Sequence, residues 1–526
     1  MVSFCNGAVS SQLEPISVSN RDRRTYPFTS INTVVGSHLA ASEVPRLVEY
    51  SNSAGANFFR HPDLVKVMFD HFKKEYHSPR ERRDLISFML ISKVTFRYPA
   101  RILWSRIGRQ FVAALQLLDL EVWDNGSHRR LFGPPLLDAL EQNKDRLAEH
   151  VMWKKFLYYA DAIEFVDTNT VFICPGTITL LAHLLPPSDA LVFPCLRHLI
   201  WTESLTDSND LLHMLGPSLS VLHLHIYDFF DEQYTSTAFM DWATRMIHAA
   251  SHLSHNIRVL VIDAMGSLIL NPSVLAYFCT LHQLAITQAS PNSGQDVMAP
   301  PMAFQSLEDL EIVSYHGSKG LLNSLPYVIS FMAHSLRMVN LQSIAGSSAL
   351  DNTSFVENFQ PLLSLQQLME VRIGFMLVDF EFTDRDLITV ARAWPNIVEM
   401  AFAFSRLRTS PVPRLQTLGL VAAHCRSLKK ITLPFLVGPG SGTTFEISAP
   451  PSHPLEEIRT HSMTWDKNQS GAITSRLKQA FPSLTGVFSN GSIDDEHELL
   501  WAILPPYILS SQVAAYPISV PHADNL

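Results

Sequence analysis

The chain has 526 residues, of which 47% are hydrophobic, and its 40 basic side chains stand against 49 acidic ones. A chain of this length is too long to fold around a single compact core. The length therefore excludes a small one-domain protein and predicts several domains or a repeat array. The mildly acidic balance and the lack of a long basic stripe argue against nucleic acid as a partner.

Residues 1–57 are rich in Ser and Asn without a sustained period, and we predict them to be largely disordered. Residues 58–110 read as three short helices closing around one small core. Pro62 suits a first helical turn, and a second helix spans Leu85 to Ile91. Apolar residues at helical spacing define the first and third helices, namely Leu64, Val67, Met68 and Phe72, then Ala100, Leu103, Trp104 and Ile107.

This three-helix region resembles the F-box family, which begins with a Leu-Pro pair and ends in an Ala-x-x-Leu-Trp segment. The matching segments are Pro62-Asp63-Leu64, Leu90-Ile91-Ser92-Lys93 and Ala100-Arg101-Ile102-Leu103-Trp104. His61 stands where the family has leucine, and Ser92 where it has cysteine. The resemblance implies a Skp-type adaptor and a cullin as partners, with adaptor contacts at Pro62, Leu64, Met68, Leu90, Ile91, Lys93, Leu103 and Trp104. The alternative is an ordinary three-helix cap on the array that follows.

Residues 111–165 form a predicted helical linker and amino-terminal cap. Its clearest helix carries Trp153, Phe156, Leu157 and Ala160 on one face, as expected of a segment that seals the first repeat.

Residues 166–504 repeat one unit, an apolar L-x-x-L-x-L strand followed by a helix-like stretch. The mean period is about 29 residues, which is long for leucine-rich repeats and predicts a helix in each connection. Thr383 and Asp386 form a capping-box pattern at one such helix. The units begin at Leu196, Leu219, Ile257, Leu281, Leu307, Leu336, Leu368, Ile397, Leu428, Leu455 and Leu484, and residues 505–526 are a tail.

The strand-plus-helix repeat predicts an α/β fold in which parallel strands line the concave face of a solenoid and helices lie outside. Three segments resemble those of F-box/leucine-rich-repeat proteins that are abundant in mushroom-forming fungi, namely Met214–Leu222, Phe193–Leu199 and Trp153–Ala160 just before the array. By this resemblance, the chain is the substrate receptor of a Skp-cullin-F-box ubiquitin ligase and binds a protein target through the array. The alternatives are a leucine-rich-repeat scaffold without ligase association and an enzyme with an unrecognised site.

The target is expected on the concave face. Positions four and six of each unit point into the core, as Leu310 does, whereas positions three, five and seven face the inner curve, as Glu311 does. The predicted target-binding residues are His198, Ile200, Val221, His223, His225, Val259, Val261, Asp309, Glu311 and Arg372. In an equally open alternative, insertions such as residues 290–302 fold over this face and bury it.

No catalytic, cofactor-binding or metal-binding residues are predicted. His497-Glu498 begins like a zinc-protease helix, but Trp501 stands where the second histidine ligand is required. We interpret His223 and His225 as a surface pair. The five cysteines form no C-x-x-C pair, which favours reduced thiols in an intracellular protein, cytoplasmic or nuclear. No apolar run reaches the roughly 18 residues that span a bilayer, so no membrane contact is expected.

Overall fold

The structure is a computed structural model that describes residues 151–168, 176–185, 191–203, 209–227, 237–265, 277–287, 304–314, 335–343, 353–406, 411–439, 446–464 and 470–489, together with 67, 84, 87, 106–107, 138, 142, 275, 321–322 and 329. The predicted disordered segment 1–57 and tail 505–526 lie outside these residues, as does most of the three-helix region. All of the predicted adaptor contacts are among the residues that are not described, namely Pro62, Leu64, Met68, Leu90, Ile91, Lys93, Leu103 and Trp104.

The chain divides into two compact units, Met1–Met68 and Phe69–Leu526. In the first unit the structure describes Val67, which is helical and whose side chain is 68% exposed. The features that follow belong to the second unit.

Thirteen of the described strands follow one another in chain order across one parallel sheet, and β9 pairs beside β10. Each strand therefore connects to its neighbour by a crossover, as the predicted α/β solenoid requires. The strands are β1 (Arg106–Ile107), β2 (Phe165–Asp167), β3 (His198–Glu203), β4 (Val221–Tyr227), β5 (Val259–Met265), β6 (Gln283–Thr287), β7 (Asp309–Ser314), β8 (Met338–Ser343), β9 (Thr353–Ser354), β10 (Glu370–Glu381), β11 (Glu399–Arg406), β12 (Lys430–Val437), β13 (Glu457–Thr464) and β14 (Gly486–Ser489).

The leucine pattern fixes where the strands begin. In every predicted unit the strand starts two residues after the unit's first Leu or Ile, from Leu196 before β3 to Leu484 before β14. These first residues are all buried in the core. The predicted units and their strand register are confirmed.

A backbone ladder holds neighbouring units at the strand starts. The carbonyl oxygen of Arg197 accepts hydrogen bonds from the N–H groups of Ser220 and Val221, at 2.8 and 3.0 Å. The same two-to-one pattern recurs at every step from β2 to β14, ending with Glu456 and the N–H groups of Thr485 and Gly486. Since these groups are main-chain atoms, the register is held without an asparagine ladder.

Helices lie in most of the described connections, but the prediction of a helix in each connection is wrong before β13, where residues 446–456 form a turn and irregular backbone. The helices are α1 (Val151–Ala160), α2 (Thr177–His183), α3 (Asp210–Met214), α4 (Thr237–Leu253), α5 (Phe355–Asn358), α6 (Gln360–Leu363), α7 (Asp384–Ala393), α8 (Thr417–His424) and α9 (Ser470–Ala480). The predicted capping box begins α7: Asp386 N–H donates to Thr383 Oγ1 at 3.4 Å, and Thr383 N–H donates to Asp386 Oδ2 at 2.8 Å. The cap satisfies two amides at the helix start that would otherwise lack partners.

One continuous apolar core lies between the strands and the helices. It includes Trp153, Phe156 and Ala160 of α1, the helix that precedes β2. Near β10 the core becomes aromatic, with rings in mostly edge-to-face or tilted contact at 4.6–5.9 Å between centroids. This aromatic cluster consists of Phe355, Phe359, Phe375, Phe380, Phe382, Phe402 and Phe404.

The first strand corrects one prediction. Ile107 falls at helical spacing in the sequence, but it lies with Arg106 in β1, paired in parallel with Phe165 and Val166. The sheet therefore starts earlier than the predicted array. A two-residue strand has no period of its own, so the helical pattern of the preceding residues masks it.

Two buried polar groups brace the core. The Asp210 carboxylate accepts 2.7 Å hydrogen bonds from Gly176 N–H, Thr179 N–H and Thr179 Oγ1, which caps α2 from the next repeat. The Cys425 thiol lies against the carbonyl oxygens of Ala391 and Trp394, and burial raises its pKa to about 12.

Candidate protein-binding face

We use "inner face" for the sheet surface formed by the third, fifth and seventh positions of the repeats. Parallel pairing places equivalent positions side by side, so that Ile200, His223 and Val261 are direct neighbours on β3, β4 and β5. The same row continues through Ala285 and Glu311 towards the middle of the sheet. The alternation predicted from the sequence thus sorts each strand into core and inner-face residues.

The amino-terminal part of the inner face is half-buried and of mixed character. Its aliphatic side chains alternate with imidazoles, one hydroxyl and one carboxylate. We call this set the N-terminal patch, and it consists of His198, Ile200, Thr202, Val221, His223, His225, Val259, Val261 and Asp263. The structure brings together here seven of the residues predicted from the sequence to bind the target.

Aromatic contacts organise one corner of the N-terminal patch. The His198 ring stands edge-on to Phe165, with centroids 4.7 Å apart, and lies 5.2 Å from His223. Burial, and then the neighbouring His198 and His225, lower the pKa of His223 to about 4. The His223 imidazole is therefore neutral at physiological pH, and its ring is a half-buried part of the patch.

A polar pair lies at the other edge of the patch. His225 Nδ1 is 3.2 Å from Asp263 Oδ2, and the two residues are direct partners in the pairing of β4 with β5. The sequence interpretation of His223 and His225 found no neighbouring carboxylate. Asp263 lies 38 positions after His225, so only the strand register brings the two together.

The middle of the inner face is closed to solvent. Residues there are buried although they belong to no part of the apolar core, and they include Ala285, Thr287, Glu311, Val313, Asn340, Gln342, Ala401 and Ala403. These side chains of the central strands are therefore not available to a partner. Residues 290–302, the predicted cover, lie outside the described residues.

Glu311 requires a correction, because its side chain is 5% exposed and not available to a partner. Its Oε1 accepts a 3.0 Å hydrogen bond from Asn340 Nδ2. Asn340 Oδ1 in turn accepts a 2.9 Å bond from Gln342 Nε2. The cost of burying a carboxylate must be offset by such donors. Glu311 therefore forms hydrogen bonds within the chain and does not contact a partner.

Asp309 and Arg372, the other charged residues predicted here, are engaged within the chain. Burial raises the pKa of Asp309 to about 6, Glu370 adds to this increase, and Arg372 opposes it. Arg372 Nη2 lies 2.9 Å from Glu399 Oε1. Arg372 is therefore already paired with Glu399 on the adjacent strand, whereas the surroundings of Asp309 disfavour its charged form.

The carboxyl-terminal part of the inner face is exposed and charged. Arg459 Nε donates to Glu457 Oε1 at 2.5 Å, and its guanidinium lies 5.6 Å from the centre of the Phe488 ring. Phe488 is 52% exposed on β14. Exposed charge pairs of this kind contribute little to stability.

In the described part of the chain, no group of three or more His, Cys, Asp or Glu side chains could enclose a metal ion. None of the described helices combines the length and the apolar character needed to cross a membrane.

The sequence matches no known protein-family profile and no curated protein. Among solved structures, a leucine-rich-repeat protein of Leptospira interrogans is similar over 64% of this chain and 86% of its own, with 9% sequence identity and a TM-score of 0.31.

Proposed function

We propose that this protein is a non-catalytic receptor that binds a protein target through the N-terminal patch. The supporting observation is the contrast along the inner face, because the residues of the patch are half-buried whereas those of the central strands are buried. The half-buried aliphatic side chains of Ile200, Val221, Val259 and Val261 lie on three adjacent strands and offer apolar contact area to a partner.

The chemistry of the patch favours a target segment with apolar or aromatic side chains. A neutral His223 beside His198 adds ring surface without the cost of burying a charge. The His225–Asp263 pair at the patch edge can exchange hydrogen bonds with polar groups that flank such an anchor.

Paired substitutions test this site. Ile200→Arg with Val261→Arg should remove the target that co-purifies with the wild-type chain, because two charges would be desolvated at the contact. Thr432→Arg is the matched control, since Thr432 holds the same row position as Ile200 and is likewise half-buried. Equal recovery of one target, quantified by mass spectrometry, from both folded variants would contradict the assignment.

The finer proposal is that the receptor belongs to a Skp-cullin-F-box ubiquitin ligase. It rests on the resemblance of residues 61–104 to an F-box, with Pro62, Leu64 and Trp104 at matching positions. The exposed, helical Val67 is consistent with an apolar helix that a partner covers. The receptor would act by proximity, raising the local concentration of its target near the conjugating enzyme.

Co-expression with a Skp-type adaptor tests the ligase proposal. The full chain should form a stable complex, whereas a chain lacking residues 58–104, in which β1 is kept, or one carrying Leu64→Asp with Trp104→Ala should not. A folded full chain that shows no affinity for the adaptor would leave the scaffold alternative, in which the N-terminal patch binds a target without ligase association. Circular dichroism provides the folding control for each variant.

A further inference from the structure

Two imidazoles converge on the exposed side of α4, away from the inner face. His248 and His252 are one helical turn apart, and both side chains are exposed. Their Nε2 atoms are 3.2 Å apart, whereas the ring centroids are 4.5 Å apart. Since the nitrogens are closer together than the rings that carry them, both rings are directed towards one another at their Nε2 edges.

We propose that His248 and His252 chelate a divalent transition-metal ion. With metal–nitrogen bonds of about 2.0–2.1 Å, a 3.2 Å separation gives a nitrogen–metal–nitrogen angle of roughly 100–106°, close to the tetrahedral value. The ion would replace the hydrogen bond that one imidazole donates to the other. The helix backbone fixes this spacing, so little rearrangement is required.

Tyr277 holds the two rings in place. Its ring centroid lies 5.4 Å from that of His248 and 5.6 Å from that of His252. It comes from the segment before β6, so a residue outside the helix limits the rotation of both imidazoles. Tyr277 is a positioning residue, because its ring contacts the ligands and supplies none itself.

The donor set determines the class of metal. Two neutral imidazole nitrogens suit Ni²⁺, Cu²⁺ and Zn²⁺, with Cu²⁺ bound most tightly in the usual order, whereas Mg²⁺ and Ca²⁺ require oxygen ligands. No third His, Cys, Asp or Glu of the described chain joins the pair. Water completes the coordination sphere, which leaves the ion open to an additional ligand from outside.

Copper titration of the full chain tests the proposal against the background of 22 histidines. His248→Ala and His252→Ala should each remove one Cu²⁺ equivalent, together with the electron paramagnetic resonance signal of an ion coupled to two nitrogens. His282→Ala is the matched control, since this exposed imidazole instead contacts the carbonyl oxygen of Thr280 at 2.7 Å. An unchanged number of equivalents in both α4 variants would overturn the site.

Thermal unfolding with Zn²⁺ supplies a second readout, because a ligand that binds the folded state raises Tm. The wild-type chain and Tyr277→Phe should show equal shifts, Tyr277→Ala a smaller shift, and His248→Ala none from this site. Ala at an exposed helical position keeps α4 folded, so loss of the shift does not reflect unfolding. Equal shifts in the wild-type chain and in His248→Ala would contradict chelation by this pair.

Discussion

The carboxylate of Glu311 and the side-chain amide of Asn340 are joined by a 3.0 Å hydrogen bond, and both residues are buried in the middle of the inner face. Because Glu311 and Asn340 are direct partners on β7 and β8, this bond ties two repeats together on the side opposite the apolar core. The inner face is therefore part of the folded interior at its centre and a surface at its ends.

Glu311→Ala should lower the free energy of unfolding by about 1–3 kcal/mol, because it leaves the Asn340 amide without its acceptor in a buried site. Glu311→Gln should cost less, since the amide oxygen can still accept. Urea denaturation followed by circular dichroism measures both.

Substitutions at two residues close to Glu311 in the sequence serve as references for the Glu311→Ala measurement. Leu310→Ala, in the apolar core, should cost about 2–5 kcal/mol, and Glu308→Ala, at an exposed position, less than about 0.5 kcal/mol. Equal effects of Glu311→Ala and Glu308→Ala would show that the buried hydrogen bond contributes nothing.

Asp309→Asn should stabilise the protein above pH 6. The pKa of Asp309 is raised from 3.8 to about 6 by burial and by Glu370, so the folded state holds its proton more tightly than the unfolded chain. The stabilisation this gives is present below pH 3.8 and is lost as pH rises through 6. We expect Asp309→Asn to gain about 1–3 kcal/mol at pH 8 and almost nothing at pH 3.5. A gain that is independent of pH would indicate a different cause.

Acid should weaken the fold at the N-terminal patch. The pKa of His223 falls from 6.5 to about 4 on folding, through burial and the adjacent His198 and His225, so the unfolded chain binds the proton first. Stability is complete above pH 6.5 and declines as pH falls towards 4, by at most about 3 kcal/mol. The difference in unfolding free energy between pH 7 and pH 4 should be smaller in His223→Leu than in the wild-type chain. An identical difference in both would rule out His223 as the source.

Asp210→Ala should destabilise the first repeats by about 2–4 kcal/mol, since three donors at 2.7 Å lose their acceptor at the start of α2. Asp379→Ala, at an exposed site on β10, is the control and should be nearly neutral. Hydrogen exchange localises the effect: the amides of Gly176 and Thr179 should lose protection in Asp210→Ala alone.

The leucine spacing predicted the strand starts because a strand with one buried side needs apolar residues at positions that are close together in the sequence. Leu196, Leu310 and Leu484 are each buried on the core side, and this holds whatever the length of the connection that follows. The fold class follows from the same pattern, since a repeated strand and helix can bury their apolar sides only by stacking.

The cross-strand contacts were beyond the sequence, because they depend on which residues the register places side by side. Glu311 meets Asn340 across 29 positions, and His225 meets Asp263 across 38. The connections between units differ in length, so no fixed offset identifies such partners. Alternation alone assigns Glu311 to the inner face correctly, but it carries no information on whether that face is covered.

The rate at which the buried Cys425 thiol is alkylated can be used to measure local opening of the carboxyl-terminal repeats. Alkylating reagents attack the thiolate, and a pKa of about 12 in a side chain shielded from water leaves almost no reactive form while α8 stays in place. Its rate of modification therefore reports how often this repeat opens, whereas the exposed Cys279 reacts without any opening. Comparing the two alkylation rates in one sample would show whether binding of a target or a metal ion elsewhere changes how often this repeat opens.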